Sequence, residues 1–115
     1  MVQKLSVLVI EDEKSICHFI AKTLTGSDYK AVTAGSGKEG LAILTSALPD
    51  LVLLDLGLPD IDGIDIIKQT REWSSLPIIV ISARVQEREK VAALDAGADD
   101  YITLSLIHIS EPTRP

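Results

Sequence analysis

Five short runs of apolar, β-branched-rich residues alternate along the chain with longer stretches in which apolar residues recur at helical spacing. The runs cover residues 5–10, 29–34, 51–55, 77–82 and 100–103. Runs of this kind are typical of strands that are buried on both faces of a parallel sheet. Their alternation with helical stretches indicates consecutive strand–helix–strand units with right-handed crossovers. The pattern therefore predicts an α/β fold built on one open parallel sheet.

The first two helical stretches have an apolar face and recognisable ends. The first is predicted to turn these residues inward: Ile16, Phe19, Ile20 and Leu24. Gly26 stands where a C-terminal cap is expected. Ser36 is a favoured N-terminal cap for the second helix, which Pro49 closes. The inward residues predicted for that helix are Leu41, Leu44 and Leu48.

The other two helical stretches are marked mainly by where they end. The third helix is predicted at about 64–73, and the fourth at about 86–96, where Gly97 stops it. We see no internal repeat, linker or low-complexity tract between the elements. At 115 residues the chain is therefore expected to form a single domain.

Acidic residues stand at the ends of two of the predicted strands. Glu11 and Asp12 follow the first run, and Asp55 ends the third. Since ligands of open parallel sheets bind beyond the carboxyl ends of the strands, we expect these three carboxylates to meet at one edge. Such a cluster is electrostatically costly unless a cation binds or a pKa rises. Magnesium is the natural cation, because it prefers hard oxygen ligands.

Each candidate residue also has a purely structural interpretation. Asp12 could cap the first helix, and Asp55 could be a solvating charge at the end of a strand. Taken alone, Ser82 is typical of a turn serine and Tyr101 of a half-buried strand side chain. Two acidic residues of the loop after Asp55 are expected to be solvated charges: Asp60 and Asp62.

Composition excludes several other classes of protein. A hydrophobic share of 46% excludes a disordered chain. The net charge of −6 argues against direct binding of nucleic acid, which requires a basic face. Cys17 is the single cysteine, so no internal disulfide can form, as expected of a protein in the reducing cytoplasm. No apolar run approaches the roughly 20 residues of a membrane helix, so no membrane association is expected.

Four motifs follow one another along the chain: Glu11-Asp12, LVLLDLGLPDIDG around Asp55, VISAR with Ser82, and DAGADDYIT with Tyr101. In this order and spacing they resemble the receiver domain of a bacterial two-component response regulator. The resemblance covers residues 5–103. Within the family, the stretch from Asp55 onward is most similar to OmpR/PhoB-type regulators, and among these to the KdpE-like regulators of potassium transport.

The resemblance implies a flavodoxin-like, doubly wound sheet with strand order 2-1-3-4-5. It implies that Asp55 accepts a phosphoryl group from a sensor histidine kinase, so that the domain assists its own phosphotransfer without being an enzyme. Ser82 would contact the phosphate, and Tyr101 would be the switch aromatic. Magnesium would be held by the carboxylates of three residues and the backbone carbonyl of a fourth: Glu11, Asp12, Asp55 and Gly57.

The chain departs from the family pattern after Thr103. Leu104 stands where receivers carry a phosphate-pairing lysine, and Ser105 stands where they carry a proline. The segment 104–115 resembles translated sequencing-adaptor sequence. We therefore expect 1–103 to be the receiver domain, 104–115 to be an atypical, non-native tail, and the fold to be truncated before its fifth helix.

This departure affects the expected partners. A DNA-binding output domain would lie outside this chain. Receivers of this type pair through a face that includes the fifth helix, so a receiver dimer is expected of the intact protein and not of this chain. Three residues would lack their partners on that helix: Lys90, Asp99 and Asp100.

Two alternatives remain open. If Leu104 is the native residue at the lysine position, the domain is a receiver-like binding module that works without phosphorylation. A small enzyme or carrier on the same open sheet is the other alternative. A phosphatase of the haloacid-dehalogenase type would need a second aspartate at Gly57, and a flavodoxin would need a phosphate-binding loop where the chain has 11–13. The fold alone cannot separate these classes.

Overall fold

A single five-stranded sheet organises the computed structural model, which describes residues 4–82 and 87–103. The strands are β1 Ser6–Ile10, β2 Lys30–Ala34, β3 Leu51–Asp55, β4 Ile78–Ser82 and β5 Asp100–Thr103. The helices described are α1 Lys14–Gly26, α2 Gly37–Ala47, α3 Gly63–Arg71 and α4 Glu87–Ala96. All neighbouring strands are parallel and lie in the order β2-β1-β3-β4-β5. The predicted α/β fold and strand order are confirmed, and each strand lies within one residue of its predicted run.

Some of the predictions fall on positions that lie outside the described residues. Gln86, the predicted start of the fourth helix, is one of them. The others are the tail 104–115, with Leu104 and Ser105 at its beginning.

Helices cover both faces of the sheet, and the alternation of side chains along β1 shows how. Val7 and Val9 point to one face, where they pack with Ile20 of α1. Leu8 and Ile10 point to the opposite face and join the larger core cluster, to which α2, α3 and α4 contribute buried side chains. Strand β1, which lies between β2 and β3, is therefore buried on both sides, as its continuous apolar run predicts.

Three details of the first two helices differ from the prediction. Phe19 is 45% exposed, because Ile16, Ile20 and Leu24 form a narrow stripe and position 19 lies about 60° outside it on the helix. Leu48 is 65% exposed, because it is the C-cap of α2 and its left-handed backbone, with φ of 47°, turns the side chain away from the helix face. Gly26 is the last helical residue of α1, and Asp28 takes the positive φ, of 71°.

Other helix ends follow the prediction. Ser36 is the N-cap of α2, and its hydroxyl accepts a hydrogen bond from the Glu39 amide at 3.1 Å. Gly97 follows α4 with a φ of 122°, a conformation that glycine adopts without strain. The third helix ends at Arg71, two residues before the predicted end. No helix in the described part of the chain is both long enough and apolar enough to cross a membrane.

The start of β5 is tied to α3 by Arg71. Its guanidinium donates to the carbonyl oxygens of Gly97 and Leu76, each at 2.8 Å, and to Asp99 Oδ2 at 3.0 Å. The same Asp99 oxygen accepts a hydrogen bond from the Ile78 amide at 2.8 Å. Asp99 is thus paired within the domain. Apolar side chains are exposed nearby on α4 and β5, namely Val91, Leu94 and Ile102.

Candidate functional site

Three carboxylates meet beyond the carboxyl ends of β1 and β3. These strands are neighbours in the sheet, and their register pairs Ile10 with Leu54. The residues that follow, Glu11 and Asp55, therefore lie side by side, and Asp12 is next in the chain. One oxygen from each of the three carboxylates lies within 4.8 Å of the other two. The predicted convergence of these side chains is confirmed.

Burial makes this cluster electrostatically unfavourable. Glu11 is only 5% exposed, and burial is the main reason why its pKa rises from 4.5 to about 7, with the negative charges of Asp55 and Asp12 adding to the effect. Burial also raises the pKa of Asp55. A backbone hydrogen bond opposes each rise: the Glu13 amide donates to Glu11 at 3.0 Å and the Gly57 amide to Asp55 at 3.3 Å.

The oxygen ligands and the excess negative charge of this cluster fit a divalent cation. A bound cation would favour the ionised form of Glu11, which the protein by itself disfavours. The available donors are carboxylate oxygens, which are hard ligands of the kind that magnesium prefers. Glu11, Asp12 and Asp55 are therefore the residues that could hold such a cation.

Asp12 does not cap α1, which was the alternative role considered for it. Glu13 is the N-cap of α1, and its carboxylate accepts hydrogen bonds from the amide and the hydroxyl of Ser15 at 3.4 and 3.0 Å. The Asp12 side chain is exposed beside the two other carboxylates. The structure therefore supports its place in the acidic cluster.

Gly57 lies next to Asp55 in the loop between β3 and α3. Its amide donates to Asp55 Oδ1, and a Cβ at this position would lie 3.9 Å from both carboxylate oxygens. The backbone of Gly57 thus lies directly beside the Asp55 carboxylate.

Ser82 and Tyr101 lie on the two strands beyond Asp55. Ser82 ends β4, whose register pairs Ile81 with Asp55, so Ser82 stands at the same edge as the acidic cluster. Tyr101 lies on β5 opposite Val80 and is 9% exposed. Both side chains are buried, Ser82 at the edge and Tyr101 within the core cluster.

Two acidic residues that were predicted to be solvated charges are exposed, and each also accepts hydrogen bonds from backbone amides. Asp62 is the N-cap of α3 and accepts a hydrogen bond from the Ile64 amide at 2.9 Å. The Asp60 carboxylate accepts hydrogen bonds from the amides of Lys38 and Gly37, which lower its pKa. The Asp62 cap has a sequence signal, an aspartate just before a helix, that could have revealed it. The Asp60 contact has none, because its partners are more than 20 residues away.

Comparison with known proteins identifies the class of protein that this fold and site define. Residues 7–105 match the model of the response regulator receiver domain family. The chain belongs to this family and is the receiver domain of a two-component response regulator. It is a signalling domain on the flavodoxin-like sheet described above.

Individual relatives place the chain more narrowly. It is 48% identical over 98 residues to the KDP operon transcriptional regulatory protein KdpE of Escherichia coli (strain K12). The aligned region covers 85% of this chain and 44% of that protein. It is also 48% identical over 97 residues to the transcriptional regulatory protein KdpE of Mycobacterium tuberculosis, with coverage of 84% and 43%. The chain thus spans less than half the length of these curated relatives.

A solved structure supports the same fold. The receiver domain of the Francisella response regulator 1452 superposes with a TM-score of 0.82 at 30% sequence identity. The match covers 92% of this chain and 90% of that chain. The likeness therefore extends over most of both chains.

Proposed function

We propose that this domain accepts a phosphoryl group on Asp55 from the phosphohistidine of a sensor histidine kinase. The convergence of the Glu11, Asp12 and Asp55 carboxylates at one edge of the sheet supports this function. In the transfer, a bond forms between an Asp55 oxygen and phosphorus while the bond from phosphorus to the histidine nitrogen breaks. The nitrogen keeps the electron pair and takes up a proton. Because Asp55 itself is consumed as an acyl phosphate, the domain assists its own modification and is not an enzyme in the usual sense.

Four residues would hold magnesium at this site. Glu11, Asp12 and Asp55 would supply carboxylate oxygens, and Gly57 would supply its backbone carbonyl. When bound, magnesium neutralises charge on the phosphoryl oxygens during transfer. The raised pKa of the buried Glu11 supports this role, since the carboxylate is unfavourable without a nearby cation.

Ser82 and Tyr101 would carry the signal away from the phosphorylated site. The Ser82 hydroxyl would donate a hydrogen bond to a phosphate oxygen, and Tyr101 would change its packing as Ser82 moves. Their positions on adjacent strands support this pairing of roles, since Ser82 and Tyr101 lie two residues apart in the register of β4 and β5.

The output of the intact protein would be control of transcription in the cytoplasm. The two KdpE relatives are named as transcriptional regulatory proteins. With a net charge of −6, this chain would not bind DNA directly, so that contact would belong to a part of the protein outside it. Two receivers could pair in the intact protein.

Incubation with acetyl phosphate and Mg²⁺ tests the proposed function. The intact mass should increase by the mass of one phosphoryl group. This increase should be absent in Asp55→Asn, and also in the wild type when Mg²⁺ is chelated. Asp65→Asn is the matched control, because it removes one exposed carboxylate from α3 without touching the acidic cluster. Equal labelling of Asp55→Asn and the wild type would disprove Asp55 as the acceptor.

A receiver-like module that works without phosphorylation is the second candidate, and Leu104 favours it. A lysine there would add a charge-assisted contact to the phosphoryl oxygens, worth about 1.5–3 kcal/mol. Replacing Leu104 by lysine and Ser105 by proline should speed phosphorylation by acetyl phosphate about 10- to 100-fold. Labelling of the present chain at the same rate would show that the lysine is dispensable. No labelling of either chain would favour the second candidate.

A further inference from the structure

The loop between β3 and α3, residues 56–62, is closely fixed at its base. The side chains of Leu56 and Leu58 are buried in the core on either side of the exposed Gly57. At the end of the loop the Gly63 amide donates to the Leu56 carbonyl at 3.4 Å. A Cβ on Gly63 would lie only 2.7 Å from Leu56 Cα, so the two backbone segments are in direct contact.

The tip of the same loop is attached to α2 by Asp60. Its Oδ1 accepts a hydrogen bond from the Gly37 amide at 2.8 Å, and its Oδ2 accepts one from the Lys38 amide at 2.9 Å. These amides are in the first turn of α2, where N–H groups have no partner within the helix and the helix dipole favours a negative charge. A Cβ on Gly37 would lie 2.9 Å from Ile61 Cβ, so the loop and the helix also touch directly.

Helix α2 is in turn held firmly against β1. A Cβ on Gly40 would lie 2.5 Å from Ile10 Cδ1, and Leu44 is 1% exposed in the core. Ile10 directly precedes Glu11 of the acidic cluster. The Asp60 hydrogen bonds therefore connect the loop that carries Gly57 to the same packed unit that carries Glu11.

We infer that Asp60 is a positioning residue for the magnesium site: its carboxylate holds the 56–62 loop on α2, and thereby keeps the Gly57 backbone in place beside Asp55. This inference rests on the proposed function, in which the Gly57 carbonyl is a magnesium ligand. Groups that orient metal ligands typically contribute about 10- to 100-fold to metal affinity. A residue that served only to cap α2 would contribute to stability and not to this affinity.

Magnesium titration of the full chain, followed by nuclear magnetic resonance shifts, tests the inference. In Asp60→Ala the Kd for Mg²⁺ should rise about tenfold, and the Gly57 amide resonance should shift. Asp60→Asn keeps one acceptor and should give a smaller rise in Kd. Asp65→Asn removes an exposed charge from α3 and should leave the Kd within about twofold of the wild type. The amides of Gly37 and Lys38 should exchange faster in Asp60→Ala.

Urea denaturation of the same variants separates positioning from stability. A lower stability with a wild-type Kd in both Asp60 variants would overturn the inference and leave the proposed function standing. If Asp60→Ala does not fold, the Kd for Mg²⁺ of Asp60→Asn is compared with that of Asp65→Asn. Equal values in these two variants would overturn the inference. Failure of the wild type itself to bind Mg²⁺ would overturn the magnesium site and the inference with it.

Discussion

Replacing Glu11 by glutamine should stabilise the metal-free domain at alkaline pH. In the folded state the pKa of Glu11 is about 7, whereas a fully solvated glutamate side chain has a pKa of 4.5. Between these values the folded state keeps a proton that the unfolded state releases, so the free energy of unfolding falls as pH rises and the full loss is present above pH 7. This difference in pKa corresponds to at most about 3 kcal/mol.

Glutamine removes the charge and keeps an oxygen that can accept the Glu13 hydrogen bond. With magnesium chelated at pH 8, Glu11→Gln should therefore raise the free energy of unfolding by about 1–3 kcal/mol, whereas near pH 4.5 the two proteins should be almost equal. Some pH dependence should persist in the variant, because the raised pKa of Asp55 acts in the same direction.

Urea denaturation at pH 4.5, 6 and 8 measures this effect, with and without Mg²⁺. Added Mg²⁺ should stabilise the wild type at pH 8 more than Glu11→Gln, since the variant has lost a ligand. Glu72→Gln is the matched control, because Glu72 is exposed at the end of α3 and the same substitution there should change stability by less than about 0.5 kcal/mol. Identical pH dependence of the wild type and Glu11→Gln without Mg²⁺ would refute the reasoning.

Two further predictions follow from the acidic cluster and from the loop beside it. The magnesium affinity of the wild type should rise between pH 6 and pH 8, because the cation competes with the proton on Glu11. Chemical-shift titration measures this affinity, and magnesium-induced shifts in Asp12→Ala equal to those of the wild type would contradict the site. Gly63→Ala should lower the free energy of unfolding by about 1–3 kcal/mol, because its Cβ would meet the backbone of Leu56 at 2.7 Å. The control Gly26→Ala, in α1 with nothing within 4 Å, should leave urea stability unchanged or raise it by up to about 1 kcal/mol, and an equal loss in both variants would contradict the clash.

The sequence by itself determined the architecture and the members of the acidic cluster. Short apolar runs can be buried on both faces only in a sheet covered by helices, so the order of runs and helical stretches predicts the parallel α/β fold. The convergence of Glu11, Asp12 and Asp55 follows, because residues just beyond the carboxyl ends of neighbouring parallel strands must share one edge. The helix ends predicted at Ser36 and Gly97 are also confirmed, because helix caps depend mainly on adjacent residues.

Only the tertiary structure decided how these parts are held and charged. The exposure of Phe19 and Leu48 depends on where a helix face meets the sheet and on one left-handed residue, which periodicity does not report. The pKa of Glu11 depends on its burial among distant residues. Asp60 has no local signal because its partners lie on α2, more than 20 residues earlier. Sequence spacing reports which residues are near one another along an element, whereas burial and long-range hydrogen bonds exist only once the elements have packed.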